Sequence, residues 1–350
     1  MPDVVFFTGY PGLLGSELLP RLLAREPEAR ARCLVQPKFA ALARERAASL
    51  GGRVEIVEGD IARPVEARGD DVVEVWHLAA VYDLMVSRQT GLRVNVDGTR
   101  HVADFAERCP RLRRLHYVST CFVSGRYDGV FTEADLDKGQ AFNNHYEETK
   151  FLAEVLVQER MRGGLPVTVY RPAVVAGDSV TGATQKYDGP YFVLQWLLRQ
   201  PRLAVLPVVG RPSRYRFNMV PSDFIMRAIE HLSGRPESAG KVYQLADPEP
   251  LTVAEIIELA AAATGRRVIR LPMTRSMARF ALERVPGVYR LIRIPPAAID
   301  YFVHPTQYDT TNTLAGLAGT GIEVPPLRDY LPRLVEFMRA HPEVGSAAMA

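Results

Sequence analysis

The sequence predicts an α/β protein with a doubly wound parallel sheet and a smaller C-terminal α/β region, and three observations carry that prediction. Short apolar runs alternate with segments of helical period from the first residues to about 180. The first of those runs passes directly into three glycines, in "VVFFTGYPGLLG" at residues 4–15. After about residue 180 the alternation gives way to loop-rich sequence, with one further clear strand and helix.

Taken in order, strands are predicted at Val4 to Thr8, Arg32 to Gln36, Val54 to Glu58, Glu74 to Ala79, Leu115 to Ser119 and Val167 to Arg171. Between them, helical periodicity runs over Leu14 to Arg25, Phe39 to Leu50, Gly91 to Arg108 and Tyr146 to Arg162. Strand, helix, strand in repetition covers both faces of a parallel sheet with helices. "DSVTGATQKYDGP", residues 178–190, is rich in Gly, Thr and Asp and reads as a long loop of the kind that forms a lid or binding segment. "KVYQLADPEPLTVAEIIELAAAATG", residues 241–265, gives a strand and a helix capped by Thr252 and ended by Gly265. The chain thus divides into residues 1–180 and 181–350, with some later strands and helices expected to return to the first part.

A length of 350 residues allows a large core, and 47% hydrophobic with 24% charged residues excludes disordered and membrane-embedded classes. A net charge of +3 is too small to point to nucleic acid. Cys33, Cys109 and Cys121 are odd in number and lack metal-ligand spacing, as do the seven histidines, so no metal and a reducing compartment are expected. The chain starts without a basic leader and contains no apolar run of about 18 residues, which predicts a cytoplasmic location.

The glycines suggest a ligand. At a strand-to-helix turn, Gly9 would make the bend, Gly12 would let a pyrophosphate approach main-chain N–H groups, and Gly15 would let helix and strand pack closely. Tyr10, Pro11, Leu13 and Leu14 complete this dinucleotide cradle of a Rossmann-type fold. A tight turn with no ligand is the alternative reading of the loop alone.

The GxxGxxG spacing, Asp60 in "VEGDI", "HLAA" at 77–80 and "NVDGT" at 95–99 together resemble the extended branch of the short-chain dehydrogenase/reductase superfamily. The resemblance implies that Asp60 and Ile61 hold the adenine, that Ala79 and Ala80 run beneath the nicotinamide ribose, and that Asn95 belongs to the cofactor site. "NHYEETK" then supplies Tyr146 and Lys150, four apart on one helix face. Tyr146 would give a proton to the carbonyl oxygen as hydride arrives, and the Lys150 cation would lower the pKa of a phenol otherwise near 10. Lys150 would also hold the ribose hydroxyls. Counting back from Gly125 in "YVSTCFVSG" places the third catalytic group at Thr120, with Ser119 as the fallback. Threonine departs from the serine of many extended members.

"CLVQPKF", residues 33–39, ends the second strand without an acid and is followed by Lys38; with Arg44, and with Arg46 read as a solvated helix charge, this favours NADP(H) over NAD. "VYRPAVVAGDSVTG" at 169–182, "FNMVPSDFIMRAI" at 217–229 and "TGIEVPPLRDYLPRLVEFM" at 320–338 resemble the male-sterility and thioester reductase-like subgroup, which includes fatty acyl-CoA reductases. Arg171 and Pro172 are carried over from that pattern as cofactor neighbours. The subgroup implies an acyl thioester on coenzyme A or a carrier protein, reduced through a hemithioacetal to an aldehyde and, with a second reduction, to an alcohol. No adenylation or carrier domain accompanies these motifs, and the chain is shorter than typical fatty acyl-CoA reductases. A hydroxysteroid-type dehydrogenase, a nucleotide-sugar epimerase or dehydratase, and a non-catalytic redox sensor stay open. So does a homodimer. The segment 277–303, which mixes arginines with large apolar residues, reads as helices closing the substrate cleft ahead of a membrane-surface contact. "GPYFVLQWLL" at 189–198 reads equally as a core helix or an acyl pocket wall.

Overall fold

All five residues of the first strand, β1 (Val4–Thr8), are buried, which a strand covered by helices on both faces requires. The computed structural model describes residues 2–285 and 295–345. Strands β2 (Arg30–Val35), β3 (Val54–Glu58), β4 (Val72–His77), β5 (Arg114–Val118), β6 (Gly129–Phe131), β7 (Val167–Pro172), β8 (Val174–Ala176), β9 (Leu203–Val209), β10 (Met219–Pro221), β11 (Val242–Leu245), β12 (Arg267–Met273) and β13 (Thr306–Tyr308) follow. Seven of them form one sheet in the order β11-β7-β5-β4-β1-β2-β3, with every pair parallel. The order reverses between β1 and β4, and a crevice opens at such a switch point, beyond the carboxyl ends of the strands. This is the predicted Rossmann-type doubly wound sheet.

Strand boundaries differ from the sequence expectation by one or two residues, most at β2 and β4. β4 stops at His77 because the Thr8 hydroxyl, 3.3 Å away, accepts the Ala79 N–H and draws the chain out of the ladder. β2 begins two residues early, since the Arg30 N–H donates to the Asp3 carbonyl at 3.0 Å. The predicted helix over 91–108 is interrupted: residues Leu92–Asp97 form a π-helical turn between Arg88–Gly91 and Gly98–Glu107. Such turns favour functional sites.

One face of the sheet packs its core against the helices Leu13–Arg25 and Ser222–Ser233, and the other against Gly98–Glu107 and His145–Arg162. A third core joins the helices Tyr191–Leu198, Val253–Thr264 and Leu327–Ala340 to β9. The helix Val253–Thr264 carries a full capping box between Thr252 and Glu255, and Gly265 ends it in the left-handed region. β11 returns to the main sheet, and the buried Glu133 carboxylate fixes that return by accepting the Gln244 N–H at 2.8 Å and the Thr313 hydroxyl at 2.9 Å. The 178–190 loop winds about Asp178, whose carboxylate accepts the Thr181 N–H at 2.7 Å. Of the 277–303 segment, residues 286–294 lie outside the described residues. Among the described residues, no helix is long and apolar enough to cross a membrane.

Candidate active site

The turn after β1 requires glycine. Gly9 has φ +96°, and a Cβ there would lie 2.8 Å from Leu78 Cβ and 2.9 Å from the Ala79 nitrogen. A Cβ on Gly15 would lie 2.6 Å from the Gly9 carbonyl oxygen, so the turn and the helix touch backbone to backbone. Gly12 caps the helix Leu13–Arg25 with no side-chain acceptor. The first-turn N–H groups, including those of Leu13 and Leu14, therefore carry the positive end of the helix dipole to the crevice. This cradle fits the pyrophosphate of a dinucleotide.

The loop's other residues divide. The Tyr10 side chain is buried in the core, so only its backbone belongs to the cradle. The Pro11 carbonyl accepts from Ser16 Oγ at 2.9 Å and from Arg46 Nη1 at 2.8 Å. Arg46 is thus drawn onto the glycine loop, contrary to its reading as a solvated helix charge. Arg44 pairs with Glu58 at 2.6 Å, and the Lys38 ammonium sits 4.9 Å over the Phe39 ring. Asp60 accepts from the Ala62 N–H at 2.9 Å and from Gln36 Nε2 at 3.0 Å. Ile61 is buried beside Gly98.

Ala79 and Ala80 line the loop after β4, half-buried. Asn95, in the π-helical turn, accepts the Val81 N–H at 2.9 Å and donates to Thr149 Oγ1 at 3.0 Å, so its amide clamps that loop to the helix bearing Tyr146. Arg171 departs from expectation. Its guanidinium is fully buried and forks onto Glu154 at 2.7 and 2.9 Å; a side chain committed to a core ion pair cannot also line the crevice. The Pro172 carbonyl does face the site and accepts from Thr120 Oγ1 at 3.4 Å.

β5 delivers Thr120, which caps the 3-10 turn Cys121–Ser124 and accepts the Phe122 N–H at 3.3 Å. Asn144 caps the helix His145–Arg162 and sets Tyr146 in its first turn. The two come together: the Thr120 hydroxyl lies close enough to the Tyr146 phenol to pull its pKa down. Ser119, the fallback, turns the other way and donates to Glu154 at 2.5 Å. Lys150 is buried and donates to the Tyr117 hydroxyl at 3.1 Å and to the Val118 carbonyl at 2.9 Å.

The charges follow from burial. Burial holds the Tyr146 phenol well above its ordinary value; the Thr120 hydroxyl opposes this, while Glu147 and Asp188 reinforce it. The Lys150 ammonium is aimed at Tyr117. Burial pushes Lys150 itself down to about 8, against the pull of Glu154. Burial, with Lys150 second, pushes His77 down to about 3.

The sequence of the chain from 7 to 229 matches the family described as Male sterility protein. The chain belongs to that family. Glycine betaine reductase ATRR of Emericella nidulans is 30% identical over 73% of the chain and 22% of its own length. Nonribosomal peptide synthetase asaC of Aspergillus flavus is 26% identical over 70% of the chain and 26% of its own length. The chain thus spans under a third of the length of these two curated relatives. Among solved structures, the terminal R domain of the myxalamid PKS-NRPS pathway superposes with a TM-score of 0.82 at 27% identity, covering 98% of the chain and 92% of that domain. UDP-glucuronic acid 4-epimerase from Bacillus cereus shares the fold, with a TM-score of 0.68 at 17% identity and coverage of 99% of each chain. This male sterility family member has the fold of an NAD(P)-dependent oxidoreductase.

Sequence reasoning missed a polar chain beneath the site. Thr99 Oγ1 donates to the Asn95 carbonyl at 2.5 Å, so it accepts from His77 Nε2 at 3.0 Å, and His77 Nδ1 accepts from Thr8 Oγ1 at 2.8 Å. Thr8 then accepts the Ala79 N–H. Tyr117 joins this chain through Thr99 and Lys150. "HLAA" marked the position of His77, but no spacing in the sequence paired it with Thr8 and Thr99. Asp188, whose charge raises the Tyr146 pKa, lies in the 178–190 loop that reads from the sequence as a lid or binding segment.

Proposed function

We propose that this chain is an NADPH-dependent reductase of an acyl thioester, carried on coenzyme A or a carrier protein, or of the aldehyde derived from it. The observation that carries the proposal is the closeness of Tyr146 to Thr120, one helical turn from Lys150, in a fold whose glycine loop leaves the helix Leu13–Arg25 without a side-chain cap. By name, the two relatives are a reductase and a nonribosomal peptide synthetase, which supports a thioester substrate. Arg46 on the Pro11 carbonyl and Lys38 at the start of the next helix support NADPH, since two cations border the place where a 2′-phosphate would lie.

A bound nicotinamide would supply hydride to the carbonyl carbon. The protein's part is positional and acid–base. Gly12 and the first helical turn would hold the pyrophosphate, and Lys150 the ribose. Tyr146, kept neutral by burial, donates its phenolic proton to the carbonyl oxygen as negative charge develops there. Thr120 shares that oxygen and offers a second hydrogen bond to it. The resulting hemithioacetal loses its thiol as the carbon–sulfur bond breaks and the carbonyl re-forms, giving an aldehyde and a free thiol. NADPH oxidation with acyl-CoA, accompanied by thiol release and absent in Tyr146→Phe, tests this reading; turnover of ketones or aldehydes without thiol release rejects the thioester half.

A further inference from the structure

Thr120 and Tyr146 come from different elements, the first from the turn after β5 and the second from the opening turn of the helix His145–Arg162. Both stand at element ends, where hydrogen bonds within the element run out. Their spacing therefore depends on contacts from elsewhere in the chain.

Residues 300–308 supply such contacts. Tyr301, buried in the 3-10 segment Pro296–Val303, accepts from Asn144 Nδ2 at 2.9 Å. Asn144 caps the Tyr146 helix, its Oδ1 accepting the Glu147 N–H at 3.0 Å. The ring of the same Tyr301 meets Phe122 edge to face, with centroids 4.7 Å apart and planes at 87°. Phe122 in turn donates its N–H to the Thr120 hydroxyl at 3.3 Å. One side chain thus touches the cap of the Tyr146 helix with its hydroxyl and, with its ring, the residue bonded to Thr120 Oγ1. His304 packs on Phe122 as well, with centroids 5.3 Å apart. Its Nε2 hydrogen-bonds the Tyr308 hydroxyl at 2.8 Å, and that hydroxyl lies 3.4 Å from Ser124 Oγ, at the end of the turn that Thr120 caps. The segment is anchored at both ends: buried Asp300 pairs with Arg275 at 2.6 Å, and β13 runs parallel to β6.

Resting on the reading of Tyr146 and Thr120 as the acid and second donor of a carbonyl reductase, we infer that Tyr301 is a positioning residue for the reaction. It braces the helix of Tyr146 against the turn of Thr120 and so sets the separation of their two hydroxyls at the reacting oxygen. A misplacement of about 1 Å between reacting groups costs as much as a hundredfold in rate, so this contact matters more to turnover than to stability.

The test uses Tyr301→Phe, which keeps the ring on Phe122 and deletes the hydroxyl, and Asn144→Ser, which keeps a helix cap and deletes the donor. Thermal melting checks that each variant folds. Each should lower kcat about ten- to a hundredfold and leave KM for the carbonyl substrate and NADPH affinity within about twofold. Combined, they should cost no more than the larger single loss, because both break one contact. In Tyr146→Phe, which has no phenol to place, adding Tyr301→Phe should cost less than about twofold. Losses that multiply in either combination, or an unchanged kcat in folded Tyr301→Phe, overturn the brace. A second readout needs no cofactor: in protein labelled with carbon-13 at tyrosine Cζ, the NMR resonance missing from Tyr146→Phe should move in Tyr301→Phe and in Asn144→Ser. A resonance fixed in both overturns the brace. If the variants behave as expected with an aldehyde while no acyl thioester is reduced, the brace stands and the thioester reading falls. If thioesters are reduced and Tyr301→Phe matches the wild type, the reverse holds. In protein that reduces neither, the resonance alone decides the brace.

Discussion

Lys150 points its ammonium at the Tyr117 hydroxyl, 3.1 Å away. It also donates to the Val118 carbonyl at 2.9 Å, and burial pushes this cation down to about 8 against the pull of Glu154. As pH rises through about 8, Lys150 loses its proton, and if it holds the ribose as proposed, kcat/KM for reduction should fall along that limb. Tyr117→Phe removes an acceptor from the charged form and should move the limb to lower pH. Lys150→Met should abolish it. The pH profiles of the three proteins check this, and a limb unmoved by either change contradicts it.

Thr120 and Ser119 are adjacent in sequence but have separate tasks. Thr120→Ala should lower kcat by about 10² to 10³, and Tyr146→Phe by about 10² to 10⁴, with cofactor binding retained in both. Ser119→Ala removes a donor at 2.5 Å from the buried Glu154–Arg171 pair. It should lower the melting temperature and leave kcat within about threefold, since its hydroxyl faces away from the site. A large loss of kcat in Ser119→Ala with an unchanged Thr120→Ala would reverse the assignment.

Stability should depend on pH in two opposed ways. His77 is held neutral to about 3 against an ordinary 6.5, so between those values the unfolded chain binds a proton that the folded chain refuses. Folding stability therefore falls as pH drops through that window. Glu147 is pushed up to about 7 by burial, from an ordinary 4.5; its contribution is full below about 4.5 and is lost as pH rises through about 7. Denaturant unfolding from pH 4 to 8 should show a shallower acid loss for His77→Gln and a smaller loss near neutrality for Glu147→Gln than the wild type shows.

Arg46 provides a test of cofactor choice. Its guanidinium reaches the Pro11 carbonyl and Ser16 Oγ, at 2.8 and 3.1 Å. Arg46→Ala should weaken NADPH binding by at least about tenfold, the loss of one charge-assisted contact, and leave NADH nearly unchanged. Equal losses for both cofactors would assign Arg46 to holding the loop alone.

The main sheet was legible because its central strands are largely buried and carry short apolar runs, as Val4 to Phe7 does, although β3 at the edge has no buried residue. Gly9, Gly12 and Gly15 were legible because the backbone of the turn tolerates no Cβ. Tyr146 and Lys150 announced themselves by helical spacing, yet spacing carries no information on where a side chain points, and Lys150 turned toward Tyr117. Arg171 was misassigned for the same reason: a motif gives position, whereas its partner Glu154 lies 17 residues away on a helix. The parallel pairings of β9 with β12 and β6 with β13 bring together segments that are remote in sequence, and local propensity does not encode such registers.

The most direct measurement follows NADPH absorbance and free thiol together during turnover of dodecanoyl-CoA. Thiol should appear with NADPH loss, one for each first reduction, and both should vanish in Tyr146→Phe. NADPH consumption with carbonyl compounds but no thiol from any acyl thioester would contradict the account.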